Sequence, residues 1–296
     1  MVWLLFTLAS AFFLGIYEVI KKHALRDNAV WLVLLSGTFS SALLFVGLIT
    51  FSYAGVIHTG SFIYIPVITL HEHLLILLKT SIVLTSWIFS YFSLKHLPIT
   101  IASPIRATAP VWTLMGALVI YHEQLNGLRW LGLIITLSFF YLFSIAGQKE
   151  GLSFRNNKWL WFAVAGTLFA AISALYDKFL IRRVDRMAVQ AFFSIYQVVL
   201  LWPVVFLIRR LMAKPPKLHW RWSIPLIGLT LVVADFLYFY ALADPDSLIS
   251  VVSVVRRGSV MVSFFFGAMV FKEKNLGRKA FLLAGILAGI IILFLG

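Results

Sequence analysis

Apolar residues run along this chain in stretches of about twenty, and the charged residues gather in the short gaps between them. Such runs are too long for the alternation of a half-buried strand. They also lack the polar face of a helix packed on a soluble core, and they match the ~20 residues a helix needs to cross ~30 Å of hydrocarbon. Cutting at charges, prolines and turn residues predicts ten spanning helices, at residues 2–20, 30–54, 74–94, 98–121, 128–147, 159–178, 188–208, 222–241, 247–271 and 278–295. The longest connections, near Val56–His73 and Arg209–Arg221, leave no room for a soluble domain, so function is expected inside the bundle. The first run reads as a retained helix, because it leads into a second without a small-residue cleavage site.

A repeat is laid over this pattern. At an offset of 150 residues, Thr100-Ile101-Ala102-Ser103-Pro104-Ile105-Arg106 lies over Ser250-Val251-Val252-Ser253-Val254-Val255-Arg256, matching in side-chain type everywhere except the proline. Glu123 then falls on Glu273 and Gly127 on Gly277, while Tyr17-Glu18 resembles Tyr176-Asp177. The predicted halves are residues 1–147 and 148–296, with five spans each. Five is odd, so the second half enters the membrane from the opposite side. Two inverted copies suit alternating access, in which one central site faces either side in turn.

Composition agrees with an all-α integral membrane protein: 61% hydrophobic residues and 12% charged ones cannot dress a water-soluble surface. The absence of cysteine excludes a disulfide scaffold, a thiolate nucleophile and zinc sites that need sulfur. A net charge of +14 would suggest nucleic acid in a soluble protein. Here the basic residues flank apolar runs and set topology instead, so no nucleic-acid partner is expected. The odd-numbered connections and their flanks hold 16 Lys and Arg against four in the even-numbered ones, which places the odd side in the cytoplasm and both termini outside. The expected location is the cell (inner) membrane, as a multi-pass protein among lipids.

Candidate chemistry lies in the charges that the spans cannot avoid. Lys79 and Lys178 stand near span ends, where their stems can snorkel to the headgroups. Arg106, Arg256 and Arg257 stand about eight residues, or ~12 Å, into spans four and nine, where a charge costs ~2.5–3.5 kcal/mol even on a lenient scale. Asp235, midway along span eight, is the natural partner for one of them. Two positive charges then remain in excess, which suits a dianion or two anionic groups, and the planar guanidinium fork fits carboxylate or phosphate oxygens. Ser103 and Ser253, in the matched segments, and Tyr238 and Tyr240, on span eight, complete the candidate substrate-binding set. Trp87, Tyr91 and Trp112 are further aromatic candidates for the cavity wall. Glu18 and Asp177 read as salt-bridged residues near span ends, with proton coupling as the alternative role.

Pro104 and Pro110 can kink span four beside Arg106, and Gly285 with Gly289 allows close helix approach in span ten. His71-Glu72-His73 does not have the spacing of a metal cluster and, with His58, is expected in a wet interfacial loop. No metal, cofactor, nucleotide-binding loop or nucleophile with its base is apparent, so a membrane enzyme is the weakest option and transport would run on a gradient or by exchange.

Two five-helix inverted halves, each with an acidic residue just after its fourth helix and glycine in its fifth, resemble the drug/metabolite transporter superfamily of EamA type. The matching passages are Tyr121-His122-Glu123-Gln124-Leu125 through Gly132 and Phe271-Lys272-Glu273-Lys274 through Gly285. Within that superfamily, the sugar-phosphate translocators hold phosphate between a lysine on helix four and a Lys-Arg pair on helix nine. Arg106, Arg256 and Arg257 are similarly placed, with arginine where that pattern has lysine at two of three positions. The resemblance implies a secondary transporter of a small anionic metabolite, an organophosphate or a carboxylate. The alternatives are an amino-acid or drug exporter of the same superfamily, or a flippase that holds a phospholipid headgroup.

Overall fold

In hydrocarbon no water is present to satisfy the backbone, so an apolar run of this length must form its hydrogen bonds within itself, as a helix does. A computed structural model describes residues 2–25, 27–96, 105–106, 108–145, 158–211, 218–259, 261–262, 266 and 276–296. Ten helices occur among the described residues: α1 Val2–Leu25, α2 Val30–Tyr53, α3 Leu70–His96, α4 Ala109–Ile120, α5 Gly127–Ile145, α6 Lys158–Ile181, α7 Arg186–Leu211, α8 Ser223–Ala243, α9 Ile249–Arg257 and α10 Leu276–Leu295. Six of them, α1, α2, α3, α6, α7 and α8, are long and apolar enough to cross a membrane, and α4, α5 and α10 contain shorter apolar stretches.

Buried hydroxyls are absorbed inside the helices. Thr7, Thr80, Thr136 and Thr167 each donate to the carbonyl four residues back at 2.7–2.8 Å, which removes the cost of an orphan polar group. On the outer surface, Leu43 (64% exposed), Val119 (73%) and Phe281 (69%) face outward, as side chains covered by lipid do.

Helix α3 starts at Leu70, earlier than the expected residue 74. A capping box is the reason: the Thr69 N–H donates to Glu72 Oε2 (2.6 Å) and the Glu72 N–H to Thr69 Oγ1 (3.3 Å). The expectation of a wet loop at His71-Glu72-His73 is thereby corrected. These residues form the first turn of α3, and His73 Nδ1 pairs with the Tyr196 hydroxyl at 2.8 Å.

The principal packing joins helices one to five with helices six to ten. Helix α1 packs along α8 and α3 along α6, α4 meets α6 and α9 meets α1, and α2 meets α8 while α3 meets α7. The pairs α5–α10, α2–α7 and α4–α9 also join the halves. Exchanging helices one to five for six to ten turns each of these contacts into another or into itself. The two ends of the bundle are also distinct. At one, the α1–α2 and α7–α8 connections are tied by Arg221 to Asp27 (3.0 Å) and by Asn28 Nδ2 to the His219 carbonyl (2.9 Å). At the other, Asn126 Nδ2, between α4 and α5, donates to the Gly296 carbonyl (2.6 Å).

Candidate functional site

Spans four and nine are both interrupted where their arginines stand. Arg106 occupies a helical turn ahead of α4, which begins only after Thr108, whose hydroxyl donates to the Ile105 carbonyl (2.7 Å). Helix α9 ends at Arg257, and Gly258 donates its N–H to the Val255 carbonyl (2.9 Å). The partial negative charge at the end of α9 favours cations there, and the partial positive charge at the start of α4 favours an anion. Both termini adjoin one cavity of about 190 Å³, bounded by α1, α4, α6, α8 and α9 and lined by Ala109, Thr113, Ser173, Asp177, Tyr238, Ser253, Arg256 and Arg257 among others.

Arg256 is held on three sides. It donates to Asp235 Oδ1 (2.5 Å) and through Nε to the Ser10 hydroxyl (3.1 Å), and its guanidinium lies over the Tyr238 ring, 3.8 Å from the centroid. This is the pair expected for Asp235. The Tyr238 hydroxyl in turn donates to Asp177 Oδ2 (3.2 Å), whose other oxygen accepts from Lys79. A continuous chain of polar contacts therefore runs from α3 through α6 and α8 to α9.

Arg257 faces the same cavity, within electrostatic range of Arg106, Arg256 and Glu18. Glu18 is engaged by Lys21 at 2.6 Å, the short-range pair expected on α1. Neither Arg106 nor Arg257 has an ion pair among the described residues. Once Arg256–Asp235, Lys79–Asp177 and Lys21–Glu18 are matched, these two guanidinium groups are left over among the described residues; Arg257 lines the cavity, whereas Arg106 is not among its lining residues and stands within electrostatic range of Arg257.

Several expectations change. Lys79 and Lys178 do not snorkel, since each is 2% exposed. Lys79 pairs with Asp177, and Lys178 pairs with Glu123 (3.2 Å) while donating to the Ser247 carbonyl. Each buried cation meets a carboxylate from elsewhere in the chain, Asp177 on α6 or Glu123 in the α4–α5 connection, which offsets part of the cost of its desolvation. Tyr240 stands away from the cavity lining, against Phe6 (4.4 Å between ring centroids) and beneath the Arg186 guanidinium (4.1 Å). Trp87 lines a separate crevice of about 20 Å³ between α1, α2 and α8, and Trp112 is exposed, its indole N–H donating to Thr108 (3.2 Å). Ser103, Pro104 and Glu273 lie outside the described residues, as does the side chain of Tyr91.

Thr113 and Ser173 are cavity residues that the sequence reading did not single out. A hydroxyl on a helix that hydrogen-bonds its own backbone has the same pattern in sequence as one that faces a cavity. The pairing of Lys79 with Asp177 left no local signal either, since the two residues are 98 positions apart.

A bundle of apolar helices around a polar, positively charged cavity is the architecture of a multi-pass membrane transporter. The chain belongs to the EamA-like transporter family, whose model matches residues 1–145 and again residues 157–295. That is a family of transporters rather than of enzymes. A solved crystal structure has the same fold, with a TM-score of 0.74 at 13% identity, over 99% of this chain and 96% of that one. A search of curated proteins finds no match.

Proposed function

We propose that the protein is a secondary transporter of the cell (inner) membrane that carries a small anionic metabolite, an organophosphate or a carboxylate-bearing compound. It does so by alternating access between two inverted five-helix halves, residues 1–147 and 148–296. The observation that carries this reading is the pair of guanidinium groups, Arg106 and Arg257, that have no ion-pair partner among the described residues beside a polar cavity contacted by both halves. A charge at that depth is costly unless an anion or water meets it. An anion with two charged oxygens would engage Arg257 and Arg106 through bidentate contacts, with Ser253 and Ser173 offering hydroxyls to its neutral part, while the Thr113 hydroxyl is spent on the Ala109 carbonyl (3.1 Å). Arg256, tied to Asp235 and Tyr238, shapes the wall and becomes a ligand if the substrate displaces the carboxylate.

Thermal unfolding of the purified protein against phosphorylated and carboxylated metabolites tests the reading, because a ligand that binds only the folded state stabilises it by RT ln(1 + [L]/Kd). At least one dianion is expected to raise the midpoint, and Arg257→Ala is expected to abolish that rise. A set of anions that all leave the midpoint unchanged, with cations or neutral amphiphiles raising it, would overturn the assignment.

A further inference from the structure

One turn beyond the cavity along α9, a second polar cluster is sealed from solvent. After α4 the chain reverses at His122, which takes a left-handed conformation (φ 51°), and Glu123 is turned back into the protein at 8% exposure. Its carboxylate accepts the N–H of Ile249 (2.7 Å), the N–H of Ser250 (3.2 Å), the Ser250 hydroxyl (2.5 Å) and Lys178 Nζ (3.2 Å). Lys178 also donates to the Ser247 carbonyl. One carboxylate and one ammonium thus tie together the α4–α5 connection, α6, the α8–α9 connection and the first turn of α9.

The position of the cluster suggests its role. Ser250 precedes the cavity residue Ser253 by three positions, and Lys178 directly follows the cavity residue Asp177. Glu123 precedes Asn126 by three positions, so the cluster stands between the cavity residues Asp177 and Ser253 and the end of the bundle that carries Asn126 and Gly296. A seal made of charge differs from an apolar one. Closed, each charge is satisfied by the protein; opened, each is satisfied by water, so neither state leaves an unpaired group. An element with two satisfied states is what a gate requires.

We infer that Glu123, Lys178 and the first turn of α9 form the gate that closes the cavity at this end, and that their contacts break when the carrier opens to that side. The inference rests on the alternating-access reading above. Because the chain has no cysteine, Ala174→Cys on the cavity wall supplies a single reporter thiol. Its reaction with a membrane-impermeant maleimide is followed from each side of oriented vesicles.

With the gate intact, labelling from the Asn126 end is expected to be slow. Glu123→Gln and Lys178→Met, which remove charge-assisted bonds, should each speed it roughly tenfold or more. Ser250→Ala, which removes one hydroxyl contact and spares the charge pair, should speed it less. Fast labelling from that end with the gate intact, or unchanged labelling in monodisperse variants, overturns the inference. If the charge variants do not fold, Ser250→Ala decides, and no increase there overturns it. Inorganic phosphate is added in parallel: labelling that changes as expected, with no effect of phosphate or any other anion on stability, keeps the gate and removes the anion assignment.

Discussion

Arg256 and Arg257 are adjacent in sequence, yet their surroundings predict opposite effects of truncation. Arg256→Ala strands Asp235 without its partner, and breaking one side of a buried pair costs about 3–5 kcal/mol, toward the lower figure here because the pair adjoins a polar cavity. Arg257→Ala removes a cation that has no ion pair among the described residues and leaves no carboxylate stranded. Thermal unfolding without ligand should therefore show a lowered midpoint for Arg256→Ala and an unchanged or raised one for Arg257→Ala. Asp235→Asn should behave as Arg256→Ala does. Equal destabilisation by both arginine variants would mean that Arg257 has a structural partner. The depth of the three arginines was legible in the sequence because depth follows from counting residues along a span. Their partners were less so. Asp235 was found since it lies one span away, whereas the pairing of Lys79 with Asp177, 98 positions apart, is a property of how α3 and α6 pack.

At the scale of elements, helix positions other than those of spans four and nine were legible to within about five residues, because an apolar run and its flanking charges define a span whatever it packs against. The interruptions of spans four and nine were not legible as helix ends. Pro104 and Pro110 suggested a kink beside Arg106, of which Pro110 falls in the first turn of α4, and Gly258 marks the end of α9 only in hindsight. The glycines of α10 did carry readable information. A Cβ added at Gly289 would stand 2.8 Å from the Thr136 nitrogen and 3.0 Å from the Gly132 carbonyl oxygen, both backbone atoms of α5 that cannot rotate away. Gly47, in α2, has nothing within 4 Å of such an atom. Alanine is favoured over glycine inside a helix by about 0.5–1 kcal/mol, so propensity alone predicts that both substitutions stabilise. Packing reverses the sign at one of them: Gly289→Ala should destabilise by about 1–3 kcal/mol through forced separation of α5 and α10, while Gly47→Ala should be neutral or stabilising. Paired unfolding midpoints check this, and a stabilised Gly289→Ala would show that the α5–α10 contact is looser than described.

At the scale of the whole molecule, the distribution of charge predicts which way the bundle sits. The connections after α1, α3, α5, α7 and the ninth span, with their flanks, carry Lys21, Lys22 and Arg26, then Lys95, then Lys149, Arg155 and Lys158, then Arg209, Arg210, Lys214, Lys217 and Arg221, then Lys272, Lys274, Arg278 and Lys279. The opposite side carries Arg129, Arg182, Arg183 and Arg186. Three of those four are occupied by the protein itself, since Arg182, Arg183 and Arg186 lie over the rings of Tyr121, Phe179 and Tyr240. The connections are short, the regime in which basic residues set orientation, so the richly basic side should face the cytoplasm and both termini the exterior. On this reading the Glu123–Lys178 gate opens to the exterior, since it shares its end of the bundle with Gly296. A reporter fused after Gly296 tests the orientation. Activity of a phosphatase that works only outside the cytoplasm is the expected result, and fluorescence from a fusion that matures only in the cytoplasm would invert the molecule and turn the same gate inward.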